Sequence, residues 1–136
     1  MDTREFLQIR RKAEYPSFMN VLKALPAGRF DYRPHEKSPS AAEIVWTLAR
    51  ETQACCDVVD QGLVNWLPEP PPTDPEAIVS AFDKHYAALD HRLQKMDESG
   101  WQSKAKILID GKLYREAPVD DLLWIFFFDA IHTAAS

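Results

Sequence analysis

Ser40-Ala-Ala-Glu-Ile-Val-Trp-Thr-Leu-Ala-Arg-Glu51, continued by Thr-Gln-Ala-Cys-Cys-Asp-Val-Val-Asp-Gln to Gly62, is the stretch on which the fold turns. It opens with Ser40-x-x-Glu43, a capping box in which the hydroxyl and the carboxylate each satisfy a backbone donor that the first turn leaves orphaned. From there Ile44, Leu48, Cys55, Val58 and Val59 recur at helical spacing. Gly62 then offers the left-handed conformation that ends a helix. A long helix with one apolar stripe is stable only when that stripe is buried, so the segment demands partner helices.

The partners lie on both sides. Upstream, Pro16 suits a helical first turn, and Phe18, Val21, Leu22 and Leu25 follow at spacings of three and four. The residues before it, among them Phe6, Leu7 and Ile9, add a turn or two. Pro26 to Pro39 reads as a long polar connection. Downstream, Leu63 to Pro72 holds Pro68, Pro70, Pro71 and Pro72 and reads as a linker. Thr73-Asp-Pro-Glu76 is a second capping-box match, and Ile78, Phe82, Tyr86, Leu89, Leu93 and Met96 mark one face of a third helix that Ser99-Gly100 would end. Lys104 to Glu116 alternates apolar and polar residues around Asp110-Gly111, a strong hairpin signal. A last helix starts at Pro118 with Asp120 and Asp121 in its first turn. Its middle, Leu122-Leu-Trp-Ile-Phe-Phe-Phe128, is apolar on every side and should lie centrally or between subunits.

These elements predict one domain over residues 1–136: an all-α, mainly antiparallel four-helix bundle with a small β-hairpin before the last helix. A chain of 136 residues buries enough surface for a single core. Composition, with 46% hydrophobic and 27% charged residues, is that of an ordinary globular protein. The longest apolar run, Leu122 to Phe128, is seven residues and too short to span a bilayer, so no membrane association is expected. The start of the chain lacks the apolar stretch of a signal peptide, which places the protein in the cytoplasm. A net charge of −5 speaks against nucleic acid as a partner. The one basic cluster, Arg10, Arg11 and Lys12, is flanked by Glu5 and Glu14 and reads as a solvated helix face. Cys55 and Cys56 are adjacent and poorly placed for a mutual disulfide. Cys55, in step with the stripe, should be buried, and Cys56, about 100° away, nearer solvent.

Three stretches together carry a resemblance: Leu25-Pro26 through Arg29-Phe30-Asp31-Tyr32-Arg33-Pro34-His35, the Ser40 to Glu51 stretch, and Leu123-Trp-Ile-Phe-Phe-Phe-Asp-Ala-Ile-His132. Over nearly its whole length the chain resembles the DinB/YfiT-like family of four-helix-bundle metalloenzymes. The resemblance implies a divalent metal, nickel or zinc, held by one His of the second helix and a His-x-x-x-His pair of the last. Residues four apart share a helix face, so such a set leaves open positions for water or a thiolate. Here the second-helix position falls on Thr47, and the pair falls on Asp129 and Thr133, with His132 beside the second. Asp129 and His132 are thus the candidate metal ligands, and Glu51, one turn from Thr47, could add an oxygen. His85 and His91, six apart, face different directions, and His35 stands in the polar connection.

The family also continues past this point with His-His-Arg-Gly-Gln. Loss of one C from a GC-rich coding of that motif spells His132-Thr-Ala-Ala-Ser136, so a frameshifted, truncated end is expected. The resemblance implies a metal-dependent thiol transferase or isomerase using a small-molecule thiol such as mycothiol, bacillithiol or glutathione. With Thr47 and Thr133 at ligand positions, the expectation is a degenerate site that holds no metal and an inactive enzyme. The alternative is a non-catalytic homodimeric bundle that binds a small molecule or a protein. Burial between subunits would fall on Trp124, Phe126 and Phe127. A third reading makes Trp66, Trp101 and the last-helix aromatics an apolar cavity, although aromatic stripes are more often core.

Overall fold

In a computed structural model, residues 2–24, 33, 37 and 39–135 are described. The chain order is α1 (Thr3–Lys23), α2 (Ala41–Gln61), β1 (Leu63–Trp66), α3 (Pro75–Lys95), α4 (Glu98–Gln102), β2 (Lys104–Ile109), β3 (Lys112–Pro118) and α5 (Val119–Ala134). The protein is mostly helical. Helix α2 packs against α3 and α5, and α1 closes against the same two. Most of the connection anticipated over Pro26 to Pro39, including His35, lies outside the described residues.

Helix α2 forms as its sequence demands. Ser40 Oγ accepts from Glu43 N at 3.1 Å, Glu43 Oε1 accepts from Ser40 N at 3.2 Å, and Gly62 ends the helix at φ 67°. Helix α1 begins much earlier than Pro16. Asp2 caps it, accepting from Glu5 N at 2.8 Å, and Pro16 lies inside the helix with its ring in solvent. An interior proline removes one hydrogen bond, but Leu7, Phe18, Met19 and Leu22 bury enough apolar surface to carry the helix through it. Arg11 is buried on the same face, where its guanidinium stacks 4.0 Å from the Tyr86 ring centre and pairs with Asp90 at 2.5 Å.

Helix α3 is capped by Asp74 rather than Thr73, through Glu76 N at 3.0 Å. It ends at Lys95, short of Ser99-Gly100, because Met96 turns extended and Asp97 caps the separate helix α4. That break drives Trp101 into the core, where Nε1 donates to Thr3 Oγ1 at 2.7 Å and Thr3 in turn donates to Asp120 at 2.8 Å. One relay thus fastens α4, α1 and α5.

The sheet is larger than the hairpin alone. β2 and β3 pair antiparallel across Asp110 (φ 50°) and Gly111 (φ 77°), the two left-handed residues of a tight hairpin turn. Leu63–Trp66, taken above as linker, is a strand: β1 pairs parallel with β2, in register Val64↔Ile107 and Trp66↔Ile109. The first proline comes only at position 68, so nothing denies Leu63–Trp66 its ladder hydrogen bonds. Asn65 Oδ1 also accepts from Gly111 N at 2.9 Å, tying β1 to the turn. No helix among the described residues is long and apolar enough to cross a membrane.

Helix α5 is not surrounded on every side. Leu122, Leu123, Phe126 and Phe127 enter the chain's own core, whereas Phe128 is 60% exposed. Cys56 is buried like Cys55, because α2 is flanked by α3 on one side and α5 on the other, and its thiol lies 3.7 Å from His85 O. Burial pushes both thiols above their ordinary range.

Candidate functional site

Glu51 stands in the α2 stripe between Leu48 and Cys55, one turn from each, so the helix that buries those residues buries a carboxyl with them. It is only 4% exposed. Its Oε1 has no hydrogen-bond donor, which for a buried acceptor costs about 1–3 kcal/mol. The carboxyl of Asp129, on α5, lies within hydrogen-bonding reach. Burial first, then the bond to Asp129 and its charge, push the Glu51 carboxyl up to about 10. Glu51 is buried while Asp129 is exposed, so the desolvation that favours the protonated acid falls on Glu51.

Glu51 lines two cavities, and Asp129 lines the second of them. A small one of about 30 Å³ lies inside the bundle against Arg11, Cys55 and Phe82. An open cleft of about 250 Å³ lies between α2, α5 and the sheet, with Trp66, Ile107, Tyr114, Ile125 and Phe126 as its walls. Trp66 is fixed from two directions. The Arg50 guanidinium stacks 4.3 Å from its ring centre, and the Phe126 ring lies 6.4 Å away.

Of the ligand positions implied by the resemblance, Asp129 alone lines this cleft. Thr47 faces a separate groove with Trp46, Arg50 and Trp66, and its Oγ1 donates to Glu43 O of its own helix at 2.8 Å. His132 is exposed and does not line the cleft, and Thr133 is half-buried. Among the described residues no group of three or more His, Cys, Asp or Glu side chains is placed to hold a metal ion. Two threonines and a carboxylate already hydrogen-bonded to another carboxyl are a poor donor set for nickel or zinc. The residues present therefore do not fit the family's metal. His91 is exposed, while His85 is half-buried beside α2, and burial lowers its affinity for a proton. Trp101 is sealed in the core and lines no cleft, so of the two tryptophans expected around a cavity only Trp66 does so.

Sequence reasoning named Glu51 as a spare oxygen but not as the centre of a pair. The available signal was an acidic residue in step with the apolar stripe. The walls Ile107 and Tyr114 carried no signal, since only the sheet brings them to the helices.

The architecture is that of the DinB-like fold. Two solved structures show it: a DinB-like protein from Bacillus subtilis, at TM-score 0.65 and 15% identity over 88% of this chain and 78% of that one, and the mycothiol-dependent maleylpyruvate isomerase, at TM-score 0.70 and 15% identity over 98% of this chain and 60% of that one. The chain therefore spans less than two-thirds of the isomerase. No family model and no curated protein matches the sequence.

Proposed function

We propose that this protein is a small-molecule-binding bundle built on the DinB-like scaffold, in which the three-ligand metal site of the family has degenerated and metal-dependent thiol transfer is lost. The observation that carries this reading is Glu51: a buried carboxyl with an unpartnered oxygen, joined to Asp129 at the family's ligand position, on a cleft with aromatic walls. A buried acceptor without a protein donor calls for a partner, be it water, an ion or a ligand, and a cleft with few convergent polar groups on apolar walls is the usual form of a ligand site. A cytoplasmic setting fits two buried, unbridged cysteines.

A homodimer is part of the proposal, with a changed interface. Phe126 and Phe127 lie inside the chain, so the pairing surface is exposed Phe6 and Phe128 with half-buried Trp124 between them, ring centres 5.7 Å and 5.4 Å apart in succession.

The test of the metal part is elemental analysis of protein purified without an affinity tag. The native chain should carry nickel or zinc only at background. Stoichiometric metal in the native chain sinks the degenerate-site reading.

A further inference from the structure

We propose that the cleft between α2, α5 and the sheet takes an organic monocation, an ammonium group carried on an apolar or aromatic body. The inference rests on the small-molecule reading of the same cleft and adds the ligand's chemical class.

The lining of the cleft combines two kinds of side chain. Its polar groups are acidic: Glu51 and Asp129 line it, and no Lys, Arg or His does. Glu51 is buried and its Oε1 lacks a donor, so the missing partner is a hydrogen-bond donor, a role an ammonium fills with up to three N–H groups. The lining offers two carboxyl groups and no basic side chain that could pair with an anion. The rest of the wall offers apolar area from Ile107 and Phe126 and the aromatic ring of Tyr114, whose quadrupole attracts cations, while Trp66 already carries the Arg50 guanidinium over its ring. About 250 Å³ is slightly below the usual range for drug-sized ligands, so a single-ring amine fits better than a nucleotide or a conjugated thiol.

Isothermal titration with three probes of one shape separates the possibilities: phenethylammonium, neutral 2-phenylethanol and anionic phenylacetate. Each is titrated into the native chain, into Asp129→Asn and into the double variant Glu51→Gln, Asp129→Asn. Phenethylammonium should bind the native chain at least tenfold more tightly than 2-phenylethanol, lose that advantage in the double variant, and leave phenylacetate without measurable binding. Asp129 is exposed, so Asp129→Asn keeps the test valid even if the change at buried Glu51 upsets folding. Equal binding of the neutral probe, or tighter binding of the anion, overturns the monocation class and leaves the small-molecule reading standing. No binding of any probe at millimolar concentration overturns both.

Discussion

At the scale of the residue, Glu51 ties stability to pH. Its carboxyl titrates near 4.5 when unfolded and is pushed up to about 10 in the fold. Between those values the native state holds a proton that the unfolded chain has released. Stability from this group is therefore complete below about pH 4.5 and is lost as pH rises toward 10, with a limiting slope of about 1.4 kcal/mol per pH unit. Glu51→Gln keeps the shape and cannot ionise. Urea unfolding at pH 5, 7 and 9 should show the native chain weakening with pH relative to the variant, and the variant should be the more stable at pH 9. Parallel stability profiles would refute a proton held at Glu51. A buried acid kept at this expense is what distinguishes the site from a core position that Leu or Met would fill without penalty.

At the scale of the element, the hairpin turn is the most exacting piece of local geometry. Gly111 adopts φ 77° with open space around a would-be Cβ, so Gly111→Ala meets no neighbour and costs only the backbone penalty of the left-handed region. Thermal unfolding should show a loss of about 1–2 kcal/mol without loss of the fold. A neutral result would mean that Asp110-Gly111 can change turn type freely, which the bond from Gly111 N to Asn65 Oδ1 opposes. The turn matters for the cleft because it sets the β2–β3 register that carries Ile107 and Tyr114 to α5. Helices α2 and α5 supply the acids and the sheet supplies most of the apolar wall.

At the scale of the whole molecule, the exposed aromatic patch on α1 and α5 decides the oligomeric state. A stable dimer buries about 800 Å² per partner, more than these rings provide, so an interface centred on them must extend over the surrounding surface of α1 and α5. Light scattering at tens of micromolar should give twice 15.6 kDa for the native chain and a monomer for Phe128→Glu. A native mass of 15.6 kDa would leave the patch as unpaired surface and remove the homodimer from the functional proposal.

The sequence by itself determined the helices that carry their own punctuation. The Ser40–Glu43 capping box, the stripe through Val58 and Gly62 fixed α2, and Asp110-Gly111 fixed the hairpin, because caps and turns are local chemistry that reads within four residues. It also pointed to Asp129 as a polar position on an apolar helix. Only the tertiary structure decided that α1 runs through Pro16, that Leu63–Trp66 is a strand, and that Cys56 is buried. Each of those depends on a partner distant in the chain: the α1 core face, the β2 ladder and the flank of α3. The site divides along the same line. That Glu51 lies on the buried face follows from its place in the stripe. That it meets Asp129 in a cleft walled by Trp66 and Tyr114 follows from α5 and the sheet closing on α2, and no spacing within one helix encodes that contact.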